Sequence, residues 1–163
     1  MYPNFKQLVD QKLTFKPGGG HPHLQPMCAE VERIFFEFVN LDFGIHQGEE
    51  SDNYKKRMFP ALTHAIQVLT RKLEILFSDQ PNPDYTEVVR QINNARMAMT
   101  RIILYNGKSS IVDHDYYDLI SFHNTYCYAA LFAAISSLVH EADQVAVSQR
   151  WENYQSALAQ GTL

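Results

Sequence analysis

The strongest constraint on the fold lies in residues 86 to 105. At 100° per residue, Val88, Ile92, Ala95, Met99, Ile102 and Ile103 gather on one side of a helix. The same spacing of three or four recurs elsewhere, and no useful length of the chain alternates apolar and polar residues with the period of a strand. Stripes of this kind are buried by laying helix against helix, so the expected fold is all-α, a bundle of four to six helices.

Residues 27 to 41 read as one helix, with Val31, Ile34, Phe35 and Phe38 on a single face. A second should start near Ser51 or Asp52, either of which suits an N-cap, and run to about Phe77. Its stripe is Met58, Leu62, Ile66, Leu69, Leu73 and Leu76, and Pro60 either kinks it or marks its first turn. Asp84 or Thr86 is expected to cap the helix that follows, and Asn106-Gly107 to end it.

The acids Asp113 and Asp115 suit the start of the next helix, whose side chains are apolar almost all round from Tyr116 to Val139. That pattern predicts a central helix near residues 114–140, with Ala129, Ala130, Ala133 and Ala134 allowing neighbours to approach closely. Residues 141 to 159 should continue helically after a bend.

Seven glycines and seven prolines fall mostly in clusters, which suits long helices joined by short loops. The expected organisation is one helical domain spanning 1–163. Within it, residues 1–16 form a short helical arm and residues 17–26, Pro-Gly-Gly-Gly and beyond, form a hinge. A length of 163 residues is enough to bury a sizeable core.

The apolar run from Tyr126 to Val139 is too short for a membrane span, which needs about 20 residues, so no membrane partner is expected. The N-terminus lacks the three regions of a signal peptide, and the two cysteines, Cys28 and Cys127, are too few for a disulfide framework. These features predict a reducing, cytoplasmic address. A formal net charge of -4 argues against a dedicated non-specific nucleic-acid coat.

Between Val88 and Val112 the charged residues are Arg90, Arg96, Arg101 and Lys108, with no acid among them. Arg90, Asn94, Met97 and Arg101 lie on one line of the wheel opposite the apolar face. Guanidinium groups beside amides, without a competing carboxylate, suit phosphate oxygens. Lys55, Lys56 and Arg57 form a second basic cluster, and Arg71 and Lys72 a third. The plainer reading is a solvated face whose charges pair with acids elsewhere, such as Glu49, Glu50 or Asp115.

His123 and Cys127 stand four apart and share a helix face, so they form half of a metal site that His140, His114 or Glu30 would have to complete. A hydrogen-bonded core histidine beside a small apolar cysteine is the favoured reading, and no cofactor is expected. There is no Glu-x-x-His pair for a di-metal bundle, no Gly-x-Ser-x-Gly elbow, and no P-loop around Gly18-Gly19-Gly20. Tyrosine crowds one helix at Tyr116 and Tyr117, and Trp151 and Tyr154 follow on the last, which marks these four as interface candidates.

Three function classes follow, in order of support. The first is a non-enzymatic subunit acting through a protein partner or self-association. The second is a nucleic-acid-associated subunit using the arginine face. The third is a metal-binding or enzymatic bundle.

Overall fold

The computed structural model describes residues 23–77, 83–106, 113–141 and 143–163, without the side chains of residues 83, 84, 113–115 and 140. The predicted arm at 1–16, most of the hinge at 17–26, and Lys108 lie outside the described residues. Among those residues there are five helices and no strand: α1 (Leu24–Val39), α2 (Ser51–Phe77), α3 (Pro83–Asn106), α4 (Asp113–His140) and α5 (Gln144–Ala159). No helix among them is long and apolar enough to cross a membrane.

Boundaries shift where proline was read as a barrier. Helix α1 begins at Leu24, so Pro26 lies inside its first turn. The N–H groups there have no intrahelical partner, and the missing donor costs nothing. Pro83 opens α3 for the same reason, which places Asp84 and Thr86 within the helix rather than at its cap. Helix α2 starts at Ser51, with the Glu50 carbonyl accepting from the Tyr54 N–H, so neither Ser51 nor Asp52 lies outside it as a cap.

Pro60 proves to be internal to α2. It leaves the Lys56 carbonyl without its usual donor, but both residues are exposed, where water can take that role. The helical run breaks between α4 and α5, and Asp143 caps α5 by accepting from the Ala146 N–H at 3.0 Å. Gly161 follows α5 with φ +72°, a conformation that suits glycine best.

The ring and backbone contacts define the order of packing. Phe77 stacks on Tyr85 at 5.7 Å, while at the other end Asn106 donates to the Tyr54 hydroxyl, so α2 and α3 run antiparallel. Asn106 also couples to Tyr116, and His123 to the Ala95 backbone, which makes α3 and α4 antiparallel. The rings of Phe36 and Tyr128 and of Phe38 and His123 then set α4 antiparallel to α1.

Ile34 and Phe38 face Leu69 and Ala65 of α2, closing an up-down-up-down ring of four helices. Helix α5 lies outside the ring, against α2 and α1. Arg150 donates to the Leu76 carbonyl at 2.9 Å, and the Tyr154 hydroxyl donates to Glu30 at 2.5 Å.

The core stripes sit where their periodicity places them. Every core position named for α1 and α3 is buried, and on α2 only Ile66 is half-exposed. The lower half of α4 is buried on several sides through Cys127, Ala130, Leu131, Ala134, Ile135 and Leu138. Its principal neighbours are α3 and α1, whereas α2 joins α1, α3 and α5.

Ala133 is only partly buried, but Ala134 is fully enclosed, so it is the sharper probe of close packing. Ala134→Leu should destabilise the fold by about 1–3 kcal/mol. A shift in urea midpoint at constant slope will show it, and an unchanged midpoint would mean that this face yields easily.

Candidate interaction face

The outer side of α3 carries the most unusual surface. Met97 is 53% exposed at its middle, with open troughs on both flanks. Between α3 and α2 lies a trough of about 630 Å³, to which Phe59, Ile66 and Thr63 contribute from α2, and Arg96, Met97 and Arg101 from α3. Between α3 and α4 lies a second, of about 240 Å³, lined by Asn94, Met97 and Arg101 together with Leu119, Phe122 and Tyr126. Met97 and Arg101 belong to both.

Phe122 is 54% exposed and Phe59 stands at the edge of exposure, so three large apolar side chains share one face. Among the described residues no carboxylate lines either trough.

The arginines divide. Arg90 is held by Glu87, one residue before the acid-free stretch begins, with Nε and Nη2 donating at 2.9 and 2.5 Å. Arg57 reaches back eight residues to Glu49 through Nε and Nη2 at 2.9 and 2.8 Å. It also donates to the Gly44 carbonyl and lies over the Tyr54 ring at 5.4 Å. This fork holds the connection between α1 and α2, where Gly48 turns with φ +76°. The guanidinium keeps the Glu49 carboxyl down at about 2.

Arg57 is therefore engaged within the fold, and Arg90 is held in an exposed pair with Glu87 that competes with any other anion. Lys72, of the third basic cluster, is buried, and its charge lies close enough to Glu30 to favour the carboxylate. Arg96 and Arg101 are exposed, and among the described residues no ion pair holds either. Lys56 is exposed one turn before Phe59, and Lys55 is half-buried.

The aromatic interface candidates are corrected in part. Tyr154 is 0% exposed, and Trp151 stacks on it at 5.7 Å with 14° between the planes. Both rings face the protein's own core, because α5 must cover α1 and α2. Tyr116 is half-buried, with its ring 5.9 Å from that of Tyr117, and only Tyr117 points outward. Phe59 and Phe122 were not singled out by sequence. Phe59 stands off the apolar stripe of its helix, which is the signal that marks it; on α4, apolar residues all round hide any such contrast.

His123 and Cys127 are brought together, with the sulfur 3.5 Å from Nδ1. The pair is sealed, His123 being 1% exposed, with the rings of Phe38 and Phe43 T-shaped to it. Burial pushes the imidazole down to about 4 and both thiols upward, Cys28 to about 12, so imidazole and thiols are neutral at pH 7. Among the described residues no three His, Cys, Asp or Glu groups cluster to hold a metal. The side chains of His140 and His114 lie outside the described residues, and Glu30 is instead bound to Arg33 and Tyr154.

Compared with protein-family models, curated proteins and solved structures, the chain matches none.

Proposed function

We propose that this protein is a non-enzymatic interaction subunit that binds another protein through the outer face of α3. The observation that carries the reading is the sharing of Met97 by two troughs, with Phe59 beyond one side and Phe122 beyond the other. Protein contacts favour aromatic residues, methionine and arginine, and disfavour acids at their centre. This face has that composition. Surface methionine also adapts its shape to a partner at low cost.

The alternative is a nucleic-acid contact through the same face, supported by Arg96 and Arg101 with Lys56 nearby. It is weaker because two of the arginines it would recruit are tied to Glu49 and Glu87. The apolar centre also offers nothing to a phosphate backbone.

The test is quantitative affinity purification from the native host, comparing the wild type with Met97→Glu combined with Phe122→Glu. Both side chains are more than half exposed, so the double variant should keep its melting temperature. A stoichiometric protein held by the wild type should be lost from the variant and retained by Val145→Glu, a control at an 80% exposed position on α5. Equal recovery from wild type and double variant overturns the reading.

A further inference from the structure

The chemistry of the larger trough goes further than a general contact surface and, resting on the proposed function above, specifies its occupant. We infer that the α2–α3 trough receives an amphipathic helix from another protein whose apolar stripe is flanked by aspartate or glutamate.

Shape comes first. The trough is walled by two antiparallel helices, and on the α2 side it extends from Phe59 to Gln67. The eight steps between them at 1.5 Å each give about 12 Å, a little over two turns of a helix laid along the trough. A helix seated there presents anchors at i, i+3, i+4 and i+7. The floor suits such anchors, since Phe59, Ile66 and Met97 supply the apolar surface, while Thr63, Gln67 and Thr100 are polar without charge.

Charge then selects among helices. Arg96 and Arg101 stand before and after Met97 on α3, both exposed, and among the described residues neither is paired to an acid. Lys56 lies at i−3 from Phe59, at the end of the trough nearer Arg101. Among the described residues the only charged side chains lining the trough are Arg96 and Arg101, and Lys56 stands just outside it. A partner with basic flanks would meet like charge there, and one with acidic flanks would complete pairs that the fold leaves open.

A phosphate backbone satisfies the arginines but leaves Phe59, Ile66 and Met97 against a charged strand. The apolar floor is what favours the helix.

The experiment is a display selection on the folded protein. The library holds 16-residue helices with leucine fixed at i, i+3, i+4 and i+7, and flanking positions drawn from Glu, Gln and Lys. Selected clones should be enriched in glutamate at the flanks. A synthetic peptide of the best clone should bind about tenfold more weakly to the protein carrying Arg96→Glu and Arg101→Glu. The same selection on that double variant should turn toward lysine. Both arginines are exposed, so a thermal melt matching the wild type should accompany the result.

Clones that require Met97 but show no preference for charge overturn the acidic-helix inference while leaving the protein-contact reading in place. A selection that enriches no clone overturns it too, and the purification test above, indifferent to the partner's charge, then decides the wider reading separately. A third overturning result is a single-stranded 20-nucleotide RNA bound by the wild type, released by the double charge reversal and by raised salt, with no helix enriched. That outcome would assign the face to nucleic acid.

Discussion

Lowering the pH from 7.5 toward 4 is expected to unfold this protein progressively, with His123 responsible for the first part of the loss. In the unfolded chain the imidazole titrates near its ordinary value of 6.5, and in the folded protein burial holds it down at about 4. Between these two values the unfolded state binds the extra proton. Stability is therefore complete above about pH 6.5 and drains away as pH falls through that window.

The difference between 6.5 and 4 corresponds to roughly 3 kcal/mol at 1.36 kcal/mol per unit. That is a large part of the 5–15 kcal/mol typical of a whole domain. The backbone groups of Ala95, Phe38 and Val39 near the ring favour its charged form, but burial outweighs them. The rings of Phe38 and Phe43, T-shaped to it at 5.4 and 5.6 Å, are part of the enclosure that keeps water from it.

Urea midpoints measured at half-unit intervals from pH 7.5 to 4.5 check the prediction. His123→Gln, which cannot titrate, should be less stable at pH 7.5 yet should lose much less between pH 6.5 and 4.5. A wild-type midpoint that stays flat over that interval would mean the imidazole protonates freely inside the fold. The lowered carboxylates of Glu30, Glu49 and Glu87 act in the same direction at lower pH, since their contributions are present above about 4.5 and are lost on further acidification.

The second large effect should come from Tyr154→Ala. This ring is fully buried, stacks on Trp151, and carries the hydroxyl that donates to Glu30 across the junction of α5 and α1. Removing a buried aromatic of this size costs about 3–5 kcal/mol, because the space it leaves closes only in part. Tyr154→Phe separates the two contributions. It keeps the packing and removes only the hydrogen bond, so about 1 kcal/mol should be lost, with Arg33 still holding the Glu30 carboxylate.

Far-UV circular dichroism is the suitable probe, since Trp151 is the single tryptophan and its stacking partner is the residue being changed. A Tyr154→Ala protein as stable as the wild type would show that α5 contributes little to the folded bundle. If Tyr154→Phe instead costs as much as alanine, the Glu30 contact rather than the ring governs the junction.

The corrections to the sequence reading have a common origin. The acid-free stretch after Val88 is real, yet Glu87 stands immediately before it and takes Arg90, because i,i+3 neighbours meet on a helix surface whatever window is chosen. Glu49 was among the acids considered as partners for the basic clusters, and it takes Arg57 because the chain reverses between them. Trp151 and Tyr154 have the composition of an interface and serve one, but it lies inside the molecule, where Tyr154 of α5 meets Glu30 of α1 more than a hundred residues earlier in the chain.

Met97 and Arg101 were placed by sequence on the outward line of α3. Phe59 and Phe122 were not, and only their positions across two neighbouring helices join the four into a face.

What the sequence determined by itself is what depends on near neighbours. The 3.6-residue period specified the helical class, the core stripes of α1 and α3 and most of that of α2, because side chains three or four residues apart share a face in any α-helix. The tertiary structure alone decided the ring order, which side chains enclose the core histidine His123, the partners of Glu30 and Arg57, and the troughs beside Met97. Each depends on which helix lies against which, and many packings compatible with the same stripes would have placed them differently.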